Sequence, residues 1–143
     1  MDRARDLPHA PVRVAAASQG HLRDGDEMFG YYRGDLAGYE EGAFLGKQLY
    51  EATGLAPDDI DVAMIYENFT PIVFIQLEAF GFCGPGEATD FIAGGNIEVG
   101  GKLPVNPNGG LLGEAYIHGM NGIAEAVREG NFLGIVAQSE WAA

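Results

Sequence analysis

The sequence predicts an α/β fold, because strand-like and helix-like stretches alternate along the chain. Residues 62–66 (VAMIY) and 131–138 (NFLGIVAQ) are short apolar runs, and the segments on either side of the first run have helical spacing. Glycine makes up 22 of the 143 residues, roughly twice the usual share of about 7%, which indicates many tight turns and close backbone approaches. Composition alone would also fit an α+β protein. The length and the 47% hydrophobic content fit a single domain, residues 1–143.

The first third of the chain predicts a strand, a loop and a helix. Residues 12–18 (VRVAAAS) are the β-branched and small run of a buried strand. Residues 19–34 contain four glycines and no sustained hydrophobic period, which predicts a long surface loop or lid. A helix follows at residues 36–53, with Asp35 as its N-cap and Gly54 in the place of a C-terminal cap.

A strand, a tight turn and a helix follow in the centre of the chain. Strand 62–66 leads into a helix with Thr70 as N-cap, Pro71 at its first position and Gly81 at its end. Open α/β sheets bind ligands at the carboxyl ends of their strands, so the polar residues after this strand are candidates for a site. The remaining predicted elements are a short helix at 87–92, an extended segment and turn at 102–110, a helix from 113 or 114 to 129 and a strand at 131–138.

The charge of the chain argues against two classes of partner. A formal net charge of -13, from 21 acidic and 8 basic residues, makes nucleic acid and anionic membrane surfaces poor partners, since both attract cationic proteins. Beyond Lys47 only Lys102 and Arg128 are basic. The phosphate groups of a ligand would therefore have to be held by backbone amides or by another chain.

Other features predict a cytoplasmic protein. The sequence has no run of about 18 apolar residues that could span a membrane, and its start, MDRARDLPHA, is charged unlike a signal peptide. Its single cysteine, Cys83, cannot form an internal disulfide, which favours a reducing compartment.

Two motifs resemble the C-terminal half of thiolases. GLAPDDIDVAMIYENFTP is similar to the thiolase segment that ends in an N-E-A-F motif, and NPNGGLLGEAYIHGMNG is similar to the thiolase N-x-N-G-G loop with its G-H-P motif. YENFTP, GFC and NGGLLGEAYIHG resemble more closely the thiolase-like lipid-transfer-protein aldolases, which are related to the thiolase domain of sterol carrier protein. The resemblance covers roughly residues 6–136 and implies a thiolase-like C-terminal half, with a mixed sheet packed by helices. It also implies that the N-terminal thiolase half and the final strand are missing.

Three departures from the thiolase pattern bear on the chemistry. Tyr116 stands where a thiolase has the histidine of G-H-P, Tyr66 stands where it has the asparagine of N-E-A-F, and IVAQSE stands where its final C-x-G motif would be. Cys83 aligns with neither reactive thiolase cysteine and is more typical of a small buried side chain. A plain thiolase, an acetyl-CoA acyltransferase, is therefore the less favoured interpretation of the resemblance.

The resemblance to the aldolases implies retro-aldol cleavage of a β-hydroxy acyl-CoA. An example is a steroid side-chain CoA thioester with a tertiary 17-hydroxyl, which would yield a ketone and propionyl-CoA. This reaction needs a base for the hydroxyl proton, support for an enolate on the thioester oxygen and an acid that protonates the enolate carbon. It needs no metal or redox cofactor, and coenzyme A enters as part of the substrate.

Tyr116 is the best candidate for proton transfer, since it replaces the thiolase histidine on the same loop. Its phenol, with an ordinary pKa of about 10, would need nearby donors or positive charge to act at neutral pH. Gly109, Gly110 and Gly113 would let backbone amides at the start of a helix approach a ligand and stabilise an oxyanion. The alternative is that Tyr116 packs on the helix and that the glycines only form a turn.

Five further residues are weaker candidates. Tyr66 could take part in catalysis or could be a buried aromatic at the end of the strand. Glu67 could be a base or bind substrate, although adjacent strand residues face opposite sides. Asn108 could contact a ligand or, like Asn106, only form the turn. His118 could be catalytic, but a hydrogen-bonding or structural role is preferred, and Tyr32 is a second catalytic candidate from the long loop.

The sequence leaves two functions from different classes open. The first is the aldolase, acting on an acyl-CoA substrate with an OB-fold partner protein, as the resemblance implies, and pairing with an N-terminal thiolase half or a second copy of itself. The second is a non-catalytic, truncated thiolase-like interaction module. In both cases an uncovered sheet edge and apolar face would favour association with another chain.

Overall fold

The computed structural model describes residues 13–20, 22, 39–113 and 134–137. These residues combine helices with a pair of parallel strands, as the predicted α/β class requires. None of the described helices is both long and apolar enough to cross a bilayer. The elements in chain order are α1 (Tyr39–Thr53), a 3₁₀ turn (Pro57–Asp59), β1 (Val62–Ile65), α2 (Thr70–Ala79), α3 (Ala88–Ala93), α4 (Gly110–Gly113) and β2 (Gly134–Ala137).

The predicted strand at residues 12–18 is wrong. Residues 13–20 have no regular secondary structure, and Val14 is 76% exposed. The segment lies near α1, where the Ser18 hydroxyl donates a hydrogen bond to the side chain of Gln48. A strand needs a neighbouring strand to accept and donate its backbone hydrogen bonds, and no described strand pairs with this segment. β-branched composition alone therefore did not produce a strand here.

The prediction for α1 is confirmed over its described part. The helix runs to Thr53, and Gly54 follows with a φ of 72°, its amide donating to the Tyr50 carbonyl at 2.8 Å. This left-handed backbone ends the helix because glycine adopts it without a Cβ penalty. The predicted N-cap, Asp35, lies outside the described residues.

β1 is the structural centre of the described region. It pairs in parallel with β2, with Val62 opposite Gly134 and Ile65 opposite Ala137. On its other edge a single parallel bridge joins Ala63 to Val105. β1 is therefore flanked on both sides, and its carboxyl end adjoins the segment that continues into the NPNGG turn.

α2 begins one residue earlier than predicted. Phe69, not Thr70, is the N-cap, and its carbonyl accepts the Ile72 amide at 2.9 Å, which closes the first turn. Pro71 therefore occupies the second helical position, where the missing N–H costs nothing because the first amides of a helix have no intrahelical partner. The helix ends at Ala79, two residues before Gly81.

The apolar core lies between one face of β1 and the helices packed on it. Leu77 of α2 is fully buried, and α1 adds Leu49 and Tyr50 at the edge of the cluster. Met64 and Tyr66 are buried outside this cluster, as the alternation of side chains along a strand predicts. The buried members of the core are Ile60, Ala63, Ile65, Leu77, Phe80, Phe82, Ala88 and Leu103.

Candidate functional site

Asn106 attaches the NPNGG turn to the carboxyl end of β1. Its backbone amide donates to the Ala63 carbonyl at 3.0 Å. Its side chain accepts from the Ile65 amide at 2.7 Å and donates to the Ile65 carbonyl at 2.8 Å. The Asn106 side chain thus makes the two hydrogen bonds to Ile65 that the backbone of a neighbouring strand would otherwise make. Asn106 has a φ of 46°, a left-handed conformation that asparagine tolerates better than most residues.

Glu67 joins the same turn to the polar stretch after β1. One carboxylate oxygen accepts from the side-chain amide of Asn106 at 2.9 Å. The other oxygen accepts from the backbone amide of Leu111, in the first turn of α4. A carboxylate in this position is favoured because amides at the start of a helix carry partial positive charge. Glu67 is half-buried, so solvent competes only partly for these bonds.

The backbone amides of Gly109 and Gly110 are hydrogen-bonded within the protein. The Gly109 amide donates to the Asn106 carbonyl at 3.0 Å, and the Gly110 amide donates to the Asn108 side chain at 3.3 Å. With Leu111 bonded to Glu67, three successive amides already have acceptors within the protein. Gly110 is buried, and a Cβ at that position would collide with the Glu67 carboxylate. The absent side chain of Gly110 therefore makes room for a carboxylate of the same chain.

Asn108 holds a buried donor that has no hydrogen-bond partner among the described residues. Its side-chain nitrogen is shielded from solvent and has no hydrogen-bond partner in the described part of the chain, while its oxygen accepts from Gly110. Leaving a buried amide donor unpaired costs about 1–3 kcal/mol, so such a group needs an explanation. A ligand carbonyl oxygen would satisfy it.

Tyr66 is buried, and its backbone carbonyl is hydrogen-bonded to a side chain of α2. It is 7% exposed, and its carbonyl accepts from the buried side chain of Gln76 at 2.9 Å. The described structure thus brings together five of the predicted site residues at the carboxyl end of β1: Tyr66, Glu67, Asn108, Gly109 and Gly110. The other three, Tyr32, Tyr116 and His118, lie outside the described residues. In the sequence, Tyr116 follows the last described residue of α4, Gly113, by three positions.

Sequence reasoning underestimated Asn106, which it treated only as a turn former. The chain shows only an asparagine before a proline and a second asparagine, a pattern that predicts a turn. Its role depends on hydrogen bonds to residues 39 and 41 positions away in the chain, which no local pattern reveals.

Cys83 does not have the environment of a reactive cysteine. Partial burial raises the pKa of its thiol, and the negative charges of Glu78 and Glu87 raise it further. A protonated thiol is a poor nucleophile, which agrees with the sequence-based interpretation of this residue. Within the described ranges, no three His, Cys, Asp or Glu side chains come together as a candidate metal site.

Comparison with known proteins identifies the relatives of the chain. Residues 31–130 match the family described as thiolase C-terminal domain-like. A steroid side-chain-cleaving aldolase of Thermomonospora curvata is 58% identical over 127 residues, covering 89% of this chain and 32% of the relative. The 17-hydroxy-3-oxo-4-pregnene-20-carboxyl-CoA lyase of Mycobacterium tuberculosis is also 58% identical over 127 residues, covering 33% of that protein. Sterol carrier protein 2 of Gallus gallus is 34% identical over 91 residues, which are 64% of this chain and 17% of the relative.

A solved structure, an Ltp2-ChsH2(DUF35) aldolase, is similar in fold as well as in sequence. The TM-score is 0.81 at 57% identity, over 89% of this chain and 33% of that chain. The chain spans about a third of the length of the two curated relatives that are 58% identical to it. These similarities confirm the predicted thiolase-like fold and the predicted resemblance to lipid-transfer-protein aldolases. Since the family match extends over more than half of its residues, the chain belongs to the thiolase C-terminal domain-like family.

Proposed function

We propose that the chain supplies the C-terminal thiolase-like domain of a retro-aldol carbon-carbon lyase. The substrate is a β-hydroxy acyl-CoA such as a steroid side-chain CoA thioester, and the products are a ketone and propionyl-CoA. The observation that carries the proposal is the 58% identity over 127 residues to two proteins named for this kind of cleavage.

The proposed reaction needs a base and an acid at different steps. A base takes the proton of the tertiary hydroxyl, the bond between the carbinol carbon and the α-carbon breaks, and its electron pair moves onto the thioester as an enolate. An acid then protonates the α-carbon. Tyr116 is the proposed proton carrier, with Tyr66, His118 and Tyr32 as further candidates.

Asn108 is the proposed donor to the thioester oxygen. Its buried side-chain nitrogen is unpaired among the described residues, and a developing enolate is an acceptor that would satisfy it. The amides of Gly109, Gly110 and Leu111 are already bonded within the protein. The side chain of Asn108 therefore replaces these amides as the proposed support for the oxyanion.

A partner protein belongs to the proposal because this chain has few cations for the phosphates of coenzyme A. The net charge of -13 would repel that ligand unless another chain or an N-terminal thiolase half supplied positive groups. The solved relative, an Ltp2-ChsH2(DUF35) aldolase, supports a two-protein assembly. We propose an OB-fold partner, together with an N-terminal thiolase half or a second copy of the chain.

The test is release of propionyl-CoA from a 17-hydroxy steroid side-chain CoA thioester by the chain mixed with an OB-fold partner, with and without an N-terminal thiolase half. Tyr116→Phe removes the proton carrier and should abolish release, whereas the control Tyr39→Phe alters a tyrosine at the first residue of α1 and should not. Asn108→Asp keeps an acceptor for the Gly110 amide but loses the donor, and should lower kcat about 100-fold. If the folded wild type releases no propionyl-CoA with its partner, the non-catalytic interaction module becomes the better account.

A further inference from the structure

We propose that Glu67 is a positioning residue that, together with Asn106, fixes the 106–111 loop on the carboxyl end of β1. We call this pair of side chains the latch. The inference rests on the proposed function for its catalytic meaning, since the loop leads into the segment that carries Tyr116. The hydrogen bonds of the latch can be tested without any activity.

The latch joins three separate parts of the chain. The Glu67 carboxylate bonds the Asn106 side chain at one oxygen and the Leu111 amide at the other, residues 39 and 44 positions further along. Asn106 in turn bonds both backbone polar groups of Ile65. The strand end, the turn and the first turn of α4 are therefore connected through two adjacent side chains.

The backbone of the loop is shaped to accept this carboxylate. Gly110 has a φ of 70°, and the space that its Cβ would occupy is taken by the Glu67 side chain. At Gly109, whose φ is 102°, a Cβ would meet no atom of the other described residues within 4 Å, its two chain neighbours aside. Both glycines permit the backbone conformation, but only Gly110 is also required by a neighbouring side chain.

Glu67 fits the role of a positioning residue better than that of a base or substrate ligand. Each of its oxygens already accepts a hydrogen bond from the protein. Release of the Leu111 amide would allow the first turn of α4 to shift relative to β1. Since proton transfer depends on placement to within about an ångström, such a shift would slow the reaction while substrate binding changed little.

Hydrogen exchange, measured by NMR on the full chain, tests the latch directly. In Glu67→Ala the Leu111 amide should exchange about 10- to 100-fold faster, the effect of losing one charge-assisted hydrogen bond. The Ile65 amide, which is held by Asn106, should be unchanged. In Glu67→Gln an acceptor for Leu111 remains, so its protection should be retained. An unchanged exchange rate of the Leu111 amide in Glu67→Ala would contradict the proposal that Glu67 holds this amide.

Steady-state kinetics test whether the latch positions the 106–111 loop for catalysis. Glu67→Ala should lower kcat about 100-fold with KM nearly unchanged, and Glu67→Gln should recover most of that loss. Glu78→Ala is the matched control, because Glu78 accepts from the Ala88 amide at the start of α3 at 3.1 Å. It loses the same kind of bond away from the loop and should keep its kcat.

The outcomes separate this inference from the proposed function. Faster Leu111 exchange with an unchanged kcat would overturn the positioning role while leaving the aldolase proposal intact. A wild-type protein that shows no turnover with its partner would refute the aldolase proposal, and the exchange data would still decide whether the latch exists. If Glu67→Ala does not fold, Glu67→Asp serves in its place, because its carboxylate is one methylene shorter and is drawn back from the Leu111 amide, whose exchange should again be faster.

Discussion

Replacing Gly110 by alanine should destabilise the protein for two separable reasons. The residue has a φ of 70°, which costs an L-residue about 1–2 kcal/mol. Its new methyl group would also meet the Glu67 carboxylate, which would have to move and release the Leu111 amide. Loss of that charge-assisted bond costs about 1.5–3 kcal/mol, offset by up to about 1 kcal/mol from the stiffer unfolded chain. The expected loss of unfolding free energy is about 2–4 kcal/mol.

Urea denaturation with a double-mutant cycle separates the two causes. With an m-value of about 2 kcal/mol/M, Gly110→Ala should lower the urea midpoint by about 1–2 M. In a Glu67→Ala background the collision is absent, so the same substitution should cost only its conformational part, about 1–2 kcal/mol. The coupling energy between the two positions should therefore be about 1.5–3 kcal/mol. Gly109→Ala has a similarly positive φ, but its Cβ would not contact Glu67, so it should show no coupling to Glu67→Ala.

A coupling energy below about 0.5 kcal/mol would refute this reasoning. It would mean that Gly110 is needed for its backbone conformation alone. Equal coupling of Gly109 and Gly110 to Glu67 would also contradict it, because only Gly110 places a Cβ against the carboxylate.

Two further predictions concern the pKa shifts. Burial raises the pKa of Tyr50 to about 12, so its contribution to stability is complete below pH 10 and is lost as pH rises through about 12. Tyr50→Phe should remove that alkaline loss and cost about 1–2 kcal/mol at neutral pH, because it leaves the Phe80 carbonyl without the hydroxyl that donates to it at 2.8 Å. Urea midpoints from pH 7 to 12 check both effects. Cys83 should react slowly with iodoacetamide at pH 8, because burial and the charges of Glu78 and Glu87 raise its pKa. Glu87→Gln should shift the midpoint of its rate-pH profile to lower pH, and an unmoved midpoint would exclude this carboxylate as a cause.

Local patterns predicted several boundaries well. Gly54 and Gly81 follow the helices that they were expected to end, and the VAMI run is a strand. Caps and starts were less accurate, because Phe69 replaced Thr70 as the N-cap and α4 begins at Gly110, three or four residues earlier than predicted. These shifts arise where a backbone carbonyl or a distant carboxylate, rather than a local side-chain preference, closes the first turn.

The failed strand at residues 12–18 shows the limit of composition. A strand forms only when a neighbour satisfies its backbone hydrogen bonds, and that neighbour is not encoded in the segment itself. The same limit applied to Glu67, since a glutamate after a strand can be a base, a ligand or a structural group. Its hydrogen bonds to Asn106 and Leu111 are the basis of the positioning role proposed above.

The sequence by itself determined the α/β class, the order of the central elements and, through its YENFTP and NPNGG motifs, the family. These features depend on residue spacing and on contiguous residue types, which the chain carries locally. Only the tertiary structure decided what the site residues touch. Folding brings Asn106 and Leu111 onto Glu67, fills the space beside Gly110 with a carboxylate and leaves the Asn108 donor buried. Such contacts join residues about 40 positions apart, and they exist only once β1 and the loop lie side by side.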